Sequence, residues 1–332
     1  MTATAPLSPA IVERLSDIRI DRTAVSVTID GTELNAETLR DLRQLLSGHL
    51  YSSWHIRRES TDDDSDPHRD PAFEKVLSAH TPHETTIALV TVVDDHDPDG
   101  SIVVLDGVRV RLPEHTKIEH TRIGDTGIGD TRIDGRAVTI PSTRPALSPG
   151  FWLADSSVGR LLRAGSIRRF YLAIDSRDDA PLVWRHTLDA LESAGIRYRA
   201  KVGSTHRTYP RSDSMVIYVD DNPDLRQRVA GILGELVAGG MPVGSSSSLF
   251  TESVAHGIGT AEEPRDARPG MSRMSFGEHR CFALATGILE SGHDGDEVSD
   301  VLVRVHRAFL DANIQPDNPA LNNDTPRGNH TP

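Results

Sequence analysis

The sequence predicts an α+β fold, a mixed twisted β-sheet flanked by helices. Three observations predict it. Short runs with strand-like alternation recur at 24–31, 100–113, 136–140, 167–175, 196–203 and 214–220. Stretches with apolar residues at helical spacing lie before, between and after them. No strand leads into a dinucleotide fingerprint or a phosphate-binding glycine loop. The helices at 180–195 and 222–240 also suit crossovers of a parallel sheet, and the mixed sheet ranks above that doubly wound alternative.

In chain order, residues 8–18 and 34–58 read as helices. The second, "NAETLRDLRQLLSGHLYSSWHIRR", has Asn35 as N-cap and Glu37 in its first turn. Between them "AVSVTIDG" (24–31) alternates as a strand and ends in a turn. Residues 59–82 are polar and read as a mobile loop. "GSIVVLDGVRVRLP" (100–113) is two alternating runs around Asp106-Gly107, a hairpin signal. "TRIGDTGIGDTRIDGRAVTI" (121–140) reads as turns leading into a strand at 136–140. "RPALSPGFWLAD" (144–155) reads as a Pro/Gly junction ending in a partly buried aromatic pair.

The next block is more regular. "IRRFYLAID" (167–175), "IRYRAKVG" (196–203) and "SMVIYVD" (214–220) are strands. "APLVWRHTLDALESAG" (180–195) is an amphipathic helix stopped by Gly195, and 222–240 is a helix with Pro223 at its first position. Two more helices cover 275–291 and 297–314. The tail from Gln315, rich in Asn, Pro and Asp, reads as disordered. The expected organisation is an N-terminal subdomain over 1–147, a core over 148–314 and a tail over 315–332.

Composition narrows the function. Hydrophobic content is 37 %, and no apolar run approaches the ~20 residues of a spanning helix, so no membrane is expected. The start, "MTATAPLSPAIVERL", lacks the pattern of a signal peptide, and the single Cys281 has no internal disulfide partner; the expected location is cytoplasmic. A net charge of −13 argues against a nucleic-acid partner. Against that background, 197–211 carries Arg197, Arg199, Lys201, Arg207 and Arg211 with no acid among them. A basic cluster in an acidic protein suits a small anionic ligand, and equally a solvated strand face.

No metal is expected. None of the 15 histidines forms HExxH, and Pro82 sits between His80 and His83. A serine hydrolase lacks its GxSxG, and "GSSSSLF" (244–250) reads as a flexible or anion-contacting turn. The polar set on the three central strands remains. Arg169 and Tyr171 share a face of 167–175, and Arg197, Arg199 and Lys201 share a face of 196–203. Arg211 precedes the strand that carries Tyr218. If those faces converge, arginine forks can hold a phosphate, a neutral lysine can take a proton from carbon, and a phenol or imidazole can protonate the leaving group. Lys201 stands out because only three of the 36 basic residues are lysines, and arginine cannot reach the neutral state a base needs. The bland readings are a solvated Arg197 and Arg199, a core Tyr218, and a Lys201 paired with an acid such as Asp213.

"LYSSWHIR" (50–57), "SPGFWLA" (148–154), "RRFYLAID" (168–175), "YPRSDSMVIYVD" (209–220) and "MSFGEHRC" (274–281) together resemble the HopA family. That family includes type III effectors of plant pathogens and proteins of peptide natural-product clusters. A more distant likeness is to phosphothreonine lyases and to the lyase domain of lanthipeptide synthetases. The resemblance implies a phosphothreonine-lyase-like core that eliminates phosphate from a phosphorylated precursor peptide, giving dehydroalanine or dehydrobutyrine after a separate Ser/Thr peptide kinase has acted. It implies no metal or organic cofactor. It implies Lys201 as base and Arg169, Arg211, Arg273 and Arg280 as phosphate ligands, with Tyr218 beside them. Where the lyases have a histidine acid this chain has Tyr171, so the acid is Tyr171 or a histidine from elsewhere: His55, His206 or His279. The other readings are a non-catalytic peptide- or kinase-binding component of a biosynthetic complex, and a type III effector.

Overall fold

The fold is α+β. The structure, a computed structural model, describes residues 6–58, 69–94, 100–113, 116–123, 133–161, 166–290 and 297–324. Contacts divide it into two units interleaved along the chain. The first comprises Met1–Asp62, Arg211–Asp213 and Ser245–Pro332, the second Asp63–Pro210 and Ser214–Gly244. The sequence had suggested consecutive domains meeting at 147/148.

The first unit opens with α1 (Pro9–Leu15), then a three-stranded antiparallel sheet of β1 (Arg19–Asp21), β2 (Ser26–Ile29) and β3 (Thr32–Asn35). Asp30 and Gly31 both have positive φ, as a tight hairpin turn demands. Because Asn35 pairs with Ser26 in that sheet, it cannot cap the next helix. Helix α2 (Leu39–Leu50) is capped by Thr38, whose hydroxyl accepts from the Asp41 amide at 3.1 Å. Leu42, Leu46 and Leu50 form its buried stripe. The helix then widens into a π-helical turn, Tyr51–His55.

The second unit begins, among the described residues, with a helix inside the expected loop 59–82. Helix α3 (Pro71–Ala79) forms because Asp70 caps two of its amides and Phe73 and Leu77 are buried; residues 59–68 lie outside the described set. Strands β4 (Thr85–Asp94), β5 (Ile102–Leu105), β6 (Val108–Arg111), β7 (Ile118–Ile123) and β8 (Ile133–Pro141) make an antiparallel sheet in the order β6–β5–β4–β8–β7. Ala88, Val90, Val103, Leu112 and Val138 form its core. Asp106 and Gly107 make the expected hairpin turn. The expected turns at 124–132 lie outside the described residues.

The same unit holds β9 (Phe151–Asp155), β10 (Ile167–Ile174), α4 (Ala180–Ser193), β11 (Arg199–Gly203), β12 (Arg211–Asp220) and α5 (Pro223–Ala238). The first three residues of β12 group with the first unit. The strand order is β10–β12–β11–β9, with β11 antiparallel to both neighbours. Residues 151–155, read from sequence as a junction, are a fully buried strand. One face of these strands is apolar: Phe170, Leu172 and Ile174, Ala200 and Val202, Met215, Ile217 and Val219 are buried. Helix α4 packs on β11 and α5 and buries Val183, Trp184, Leu188 and Leu191.

The chain then returns to the first unit with the hairpin β13 (Glu252–Ala255) and β14 (Ile258–Glu262), a single turn at Met271–Arg273, α6 (Phe276–Leu289) and α7 (Val298–Asp311). Ser275 and Glu278 form a capping box that starts α6, which packs on α2 and α7. The tail departs from expectation as far as Asp324. Gln315, Ala320 and Asn322 are buried, and the Asn322 amide donates to Glu262 at 3.0 Å. Polar composition suggests disorder only when the polar groups lack internal partners, and here they have them. No helix among the described residues is long and apolar enough to cross a membrane.

The α6–α7 contact depends on Gly287, where an added Cβ would lie 2.6 Å from the Val305 Cα. Gly287→Ala is expected to destabilise the protein by about 1–3 kcal/mol. Gly231→Ala, in α5 with nothing within 4 Å, is expected to stabilise by about 0.5–1 kcal/mol. Urea midpoints of the two variants check the opposite signs, and a neutral Gly287→Ala would contradict the close approach.

Candidate functional site

The register of β11 decides which side chains share a face. Arg199 lies opposite Tyr218 and Lys201 opposite Val216 on β12; on β9 their partners are Asp155 and Leu153. Directly opposed residues point to the same side of a sheet. Arg199, Lys201, Tyr218, Asp155 and Leu153 therefore share the face opposite the apolar one. Strand β10 joins them, because the Arg169 guanidinium carbon lies 5.1 Å from the centroid of the Tyr218 ring. Alternation then puts Tyr171 on that face too. Arg169, Tyr171, Lys201 and Tyr218 are thus co-facial within the second unit. Arg169 and Tyr171 are buried, while Lys201 and Tyr218 are half-buried.

The side chain under Lys201 is aromatic. Its Nζ sits 4.2 Å from the centroid of the Phe151 ring, a cation–π distance. Its neighbour Arg199, partly exposed, is tied to an acid. Arg199 donates to the buried Asp155 at 2.9 Å, and so does the Nε of Arg144. Arg160 approaches the same carboxylate at 3.3 Å and pairs with Asp106. Asp155 is a hub for three guanidinium groups, at the end of a strand the sequence did not reveal. Phe151 was visible only as one of an aromatic pair.

In the first unit the π-helical turn presents Tyr51 and His55. A π-turn adds a residue to one helical turn and re-aims the side chains that follow. His55 Nδ1 lies 2.8 Å from Ser248 Oγ, and its ring centroid is 5.3 Å from that of Tyr51 and 5.8 Å from that of Phe276. Arg211 binds both oxygens of Asp213, at 2.7 and 2.8 Å, and donates to the Tyr51 hydroxyl at 3.4 Å. Burial, reinforced by the Asp213 carboxylate, holds the Tyr51 phenol above its usual range. The basic segment thus hands Arg211 an acid two residues away, the Asp213 that the sequence alone offers as a partner for Lys201. Ser248, in the turn "GSSSSLF", was not singled out.

The remaining predicted residues divide. Arg273 is exposed on its short turn. Arg280 is fully buried: it donates to the Pro319 carbonyl at 2.9 Å and to His279 Nδ1 at 2.8 Å, reaches the Leu321 carbonyl at 3.4 Å, and stacks on Phe276. It anchors the tail to α6, a structural duty in place of the phosphate contact expected of it. Because arginine only donates, His279 Nδ1 must accept, and Nε2–H then donates to Asp266 at 2.8 Å. His279 is a buried neutral histidine with both nitrogens engaged. Burial and then the Arg280 charge lower its pKa to about 4. The exposed His206 accepts from Arg177 at 2.6 Å.

With this geometry in view, comparison with known proteins gives one decisive result. The profile described as the HopA1 effector protein family matches residues 142–321, more than half of the chain. The chain belongs to the HopA1 effector protein family. The HopA1 match takes in Arg169, Tyr171, Lys201, Arg211, Tyr218, Arg273 and Arg280; His55 lies outside it. Among solved structures, this HopA1-family chain is similar to the effector protein from Pseudomonas syringae pv. tomato strain DC3000, with 13 % identity and a TM-score of 0.46 over 87 % of this chain and 91 % of that one. The effector protein from Pseudomonas syringae pv. syringae strain 61 gives 14 % identity and 0.46 over 86 % and 90 %. No curated protein matches in sequence.

The neutral His279 makes a pH prediction. A free histidine titrates near 6.5, the folded one near 4. As pH falls from 6.5 to 4 the unfolded chain gains a proton that the folded chain refuses, so stability drops, by up to about 3 kcal/mol. Below 4 this group adds no further loss. Melting temperatures between these pH values should fall less steeply in His279→Gln than in the parent, and equal slopes would contradict the assignment.

Proposed function

We propose that this HopA1-family protein is a phosphoserine/phosphothreonine lyase acting on a phosphorylated precursor peptide, with Lys201 as the base. The observation that carries the reading is the shared face of Arg169, Tyr171, Lys201 and Tyr218. Strands β10 and β11 are separated by β12, so the Tyr171 and Lys201 backbones are about 10 Å apart across the sheet. Two long side chains can close on one substrate residue over that span. Val216, opposite Lys201, is a short side chain between them.

The steps balance without a metal or an organic cofactor. The neutral amine of Lys201 takes the α-proton of the phosphorylated residue and becomes an ammonium. The freed electron pair forms the Cα=Cβ bond as the Cβ–O bond breaks. The phosphate departs with that bond's electrons, and the Tyr171 hydroxyl supplies its proton. Arg169, its guanidinium carbon 5.1 Å from the Tyr218 ring centroid, suits a bidentate hold on phosphate oxygens. A separate peptide kinase has to supply the phosphate.

A second reading is a peptide- or kinase-binding protein without catalysis. It is favoured by Tyr171, which stands where the distantly similar lyases have a histidine acid, and by the effector proteins of the family. A phosphothreonine peptide separates the two. Under the lyase reading, Lys201→Arg keeps peptide binding, measured by anisotropy, and lowers elimination by about 10²–10⁴-fold. Tyr171→Phe is expected to lower it on the same scale. A Lys201→Arg protein that stays active would sink the general-base assignment, since arginine holds its proton.

A further inference from the structure

Ser248 fixes the chemistry of His55. The serine is buried, and its hydroxyl has two neighbours in the first unit. Its oxygen accepts the Phe250 amide at 3.2 Å and lies 2.8 Å from His55 Nδ1. A hydroxyl has one hydrogen to donate. Among the described residues, Nδ1 is the acceptor that the geometry offers it. If Nδ1 carried a hydrogen, it would donate to the second lone pair of Oγ, and the buried O–H would be left without an acceptor among the described residues, which folded proteins avoid.

The surroundings hold this arrangement in place. The carbonyls loosened by the π-turn are taken up from outside it: Leu249 N–H donates to the Trp54 carbonyl at 2.9 Å, and Ser212 Oγ donates to the His55 carbonyl. Ser212 N–H donates to the Ile56 carbonyl at 2.9 Å. On the other side of the ring Gly277 leaves room that no other residue would. A Cβ there would fall 2.0 Å from His55 Cδ2 and 2.4 Å from Nε2.

We infer that Ser248 is a positioning residue that locks His55 as a neutral imidazole with its hydrogen on Nε2, so that His55 serves as a hydrogen-bond donor to an oxygen and not as a proton source. A neutral imidazole that gave up its Nε2 hydrogen would become an imidazolate, a poor acid at neutral pH. The same nitrogen cannot act as a base, because it already carries a hydrogen. Nδ1 cannot take a proton without displacing the serine hydrogen. Neutral histidines in other enzymes act as electrophiles toward substrate oxygens. The consequence for catalysis rests on the lyase reading: with His55 excluded, and His279 engaged at both nitrogens, the candidates for protonating the leaving phosphate narrow to Tyr171 and His206.

The tautomer can be read directly. The full chain labelled with ¹⁵N-histidine is recorded at neutral pH by long-range ¹H–¹⁵N correlation, and the His55 signals are those missing from His55→Gln. The expected pattern is an unprotonated Nδ1 and a protonated Nε2. A protonated Nδ1, alone or together with Nε2, would overturn the inference, with no variant needed beyond the assignment. Ser248→Ala is expected to convert the single tautomer to a mixture, and Ser248→Thr to restore it. An unchanged tautomer in Ser248→Ala would remove the serine's role. No turnover enters these spectra, so failure of the lyase reading would leave the tautomer result standing, and the reverse.

Discussion

The register of β11 between β9 and β12 is the constraint on which the candidate chemistry depends. A slip of one residue would turn Lys201 to the apolar side and bring Ala200 to the side of Arg169 and Tyr218. That slip is strongly opposed. Ala200 and Val202 are buried with Met215, Ile217 and Val219 on one side, and Arg199 is tied to Asp155 on the other. Because Asp155 also gathers Arg144 and Arg160, the ion pair that fixes the register belongs to a network and not to a lone surface pair. The burial of apolar residues and the charge of one carboxylate thus agree on a single pairing.

Arginine does two kinds of work here. Arg168 is buried and pairs with Asp221, Arg211 grips Asp213, and Arg280 fastens the tail. Each is a planar fork matched to a carboxylate or to several carbonyls, the geometry lysine lacks. Lys201 shares with Arg280 a place over an aromatic ring, but among the described residues it has no carboxylate or carbonyl partner. A ring beneath the amine presents no acceptor that would claim its hydrogens. In an arginine-rich chain, the exception therefore sits where a compact amine is useful and a fork is not required.

Much of the fold was legible because local signals agreed. Pro223 at a helix start, the Asp-Gly hairpin and the Gly195 stop all rest on backbone geometry that a few residues dictate. The misreadings share a cause. Leu34 and Asn35 were absorbed into the helix that follows because pairing with β2 is a tertiary fact. Residues 71–79 were lost in an acidic stretch, and 315–324 looked disordered although Asn322 finds Glu262 some sixty positions away in sequence. The shared face was legible on the strands, where period-two alternation placed Arg169 with Tyr171 and Lys201 with Arg199. The site was not legible at Arg280, whose acceptors come from the tail, nor at Ser248, which meets His55 only through a π-turn that no sequence pattern announces.

The most direct measurement is the mass of a phosphothreonine peptide after incubation with the purified protein. Elimination removes phosphoric acid and leaves dehydrobutyrine, lighter than threonine by one water, and this product should disappear with Lys201→Ala. A peptide returned unchanged, or one hydrolysed to threonine, would contradict Lys201 as a base acting on carbon.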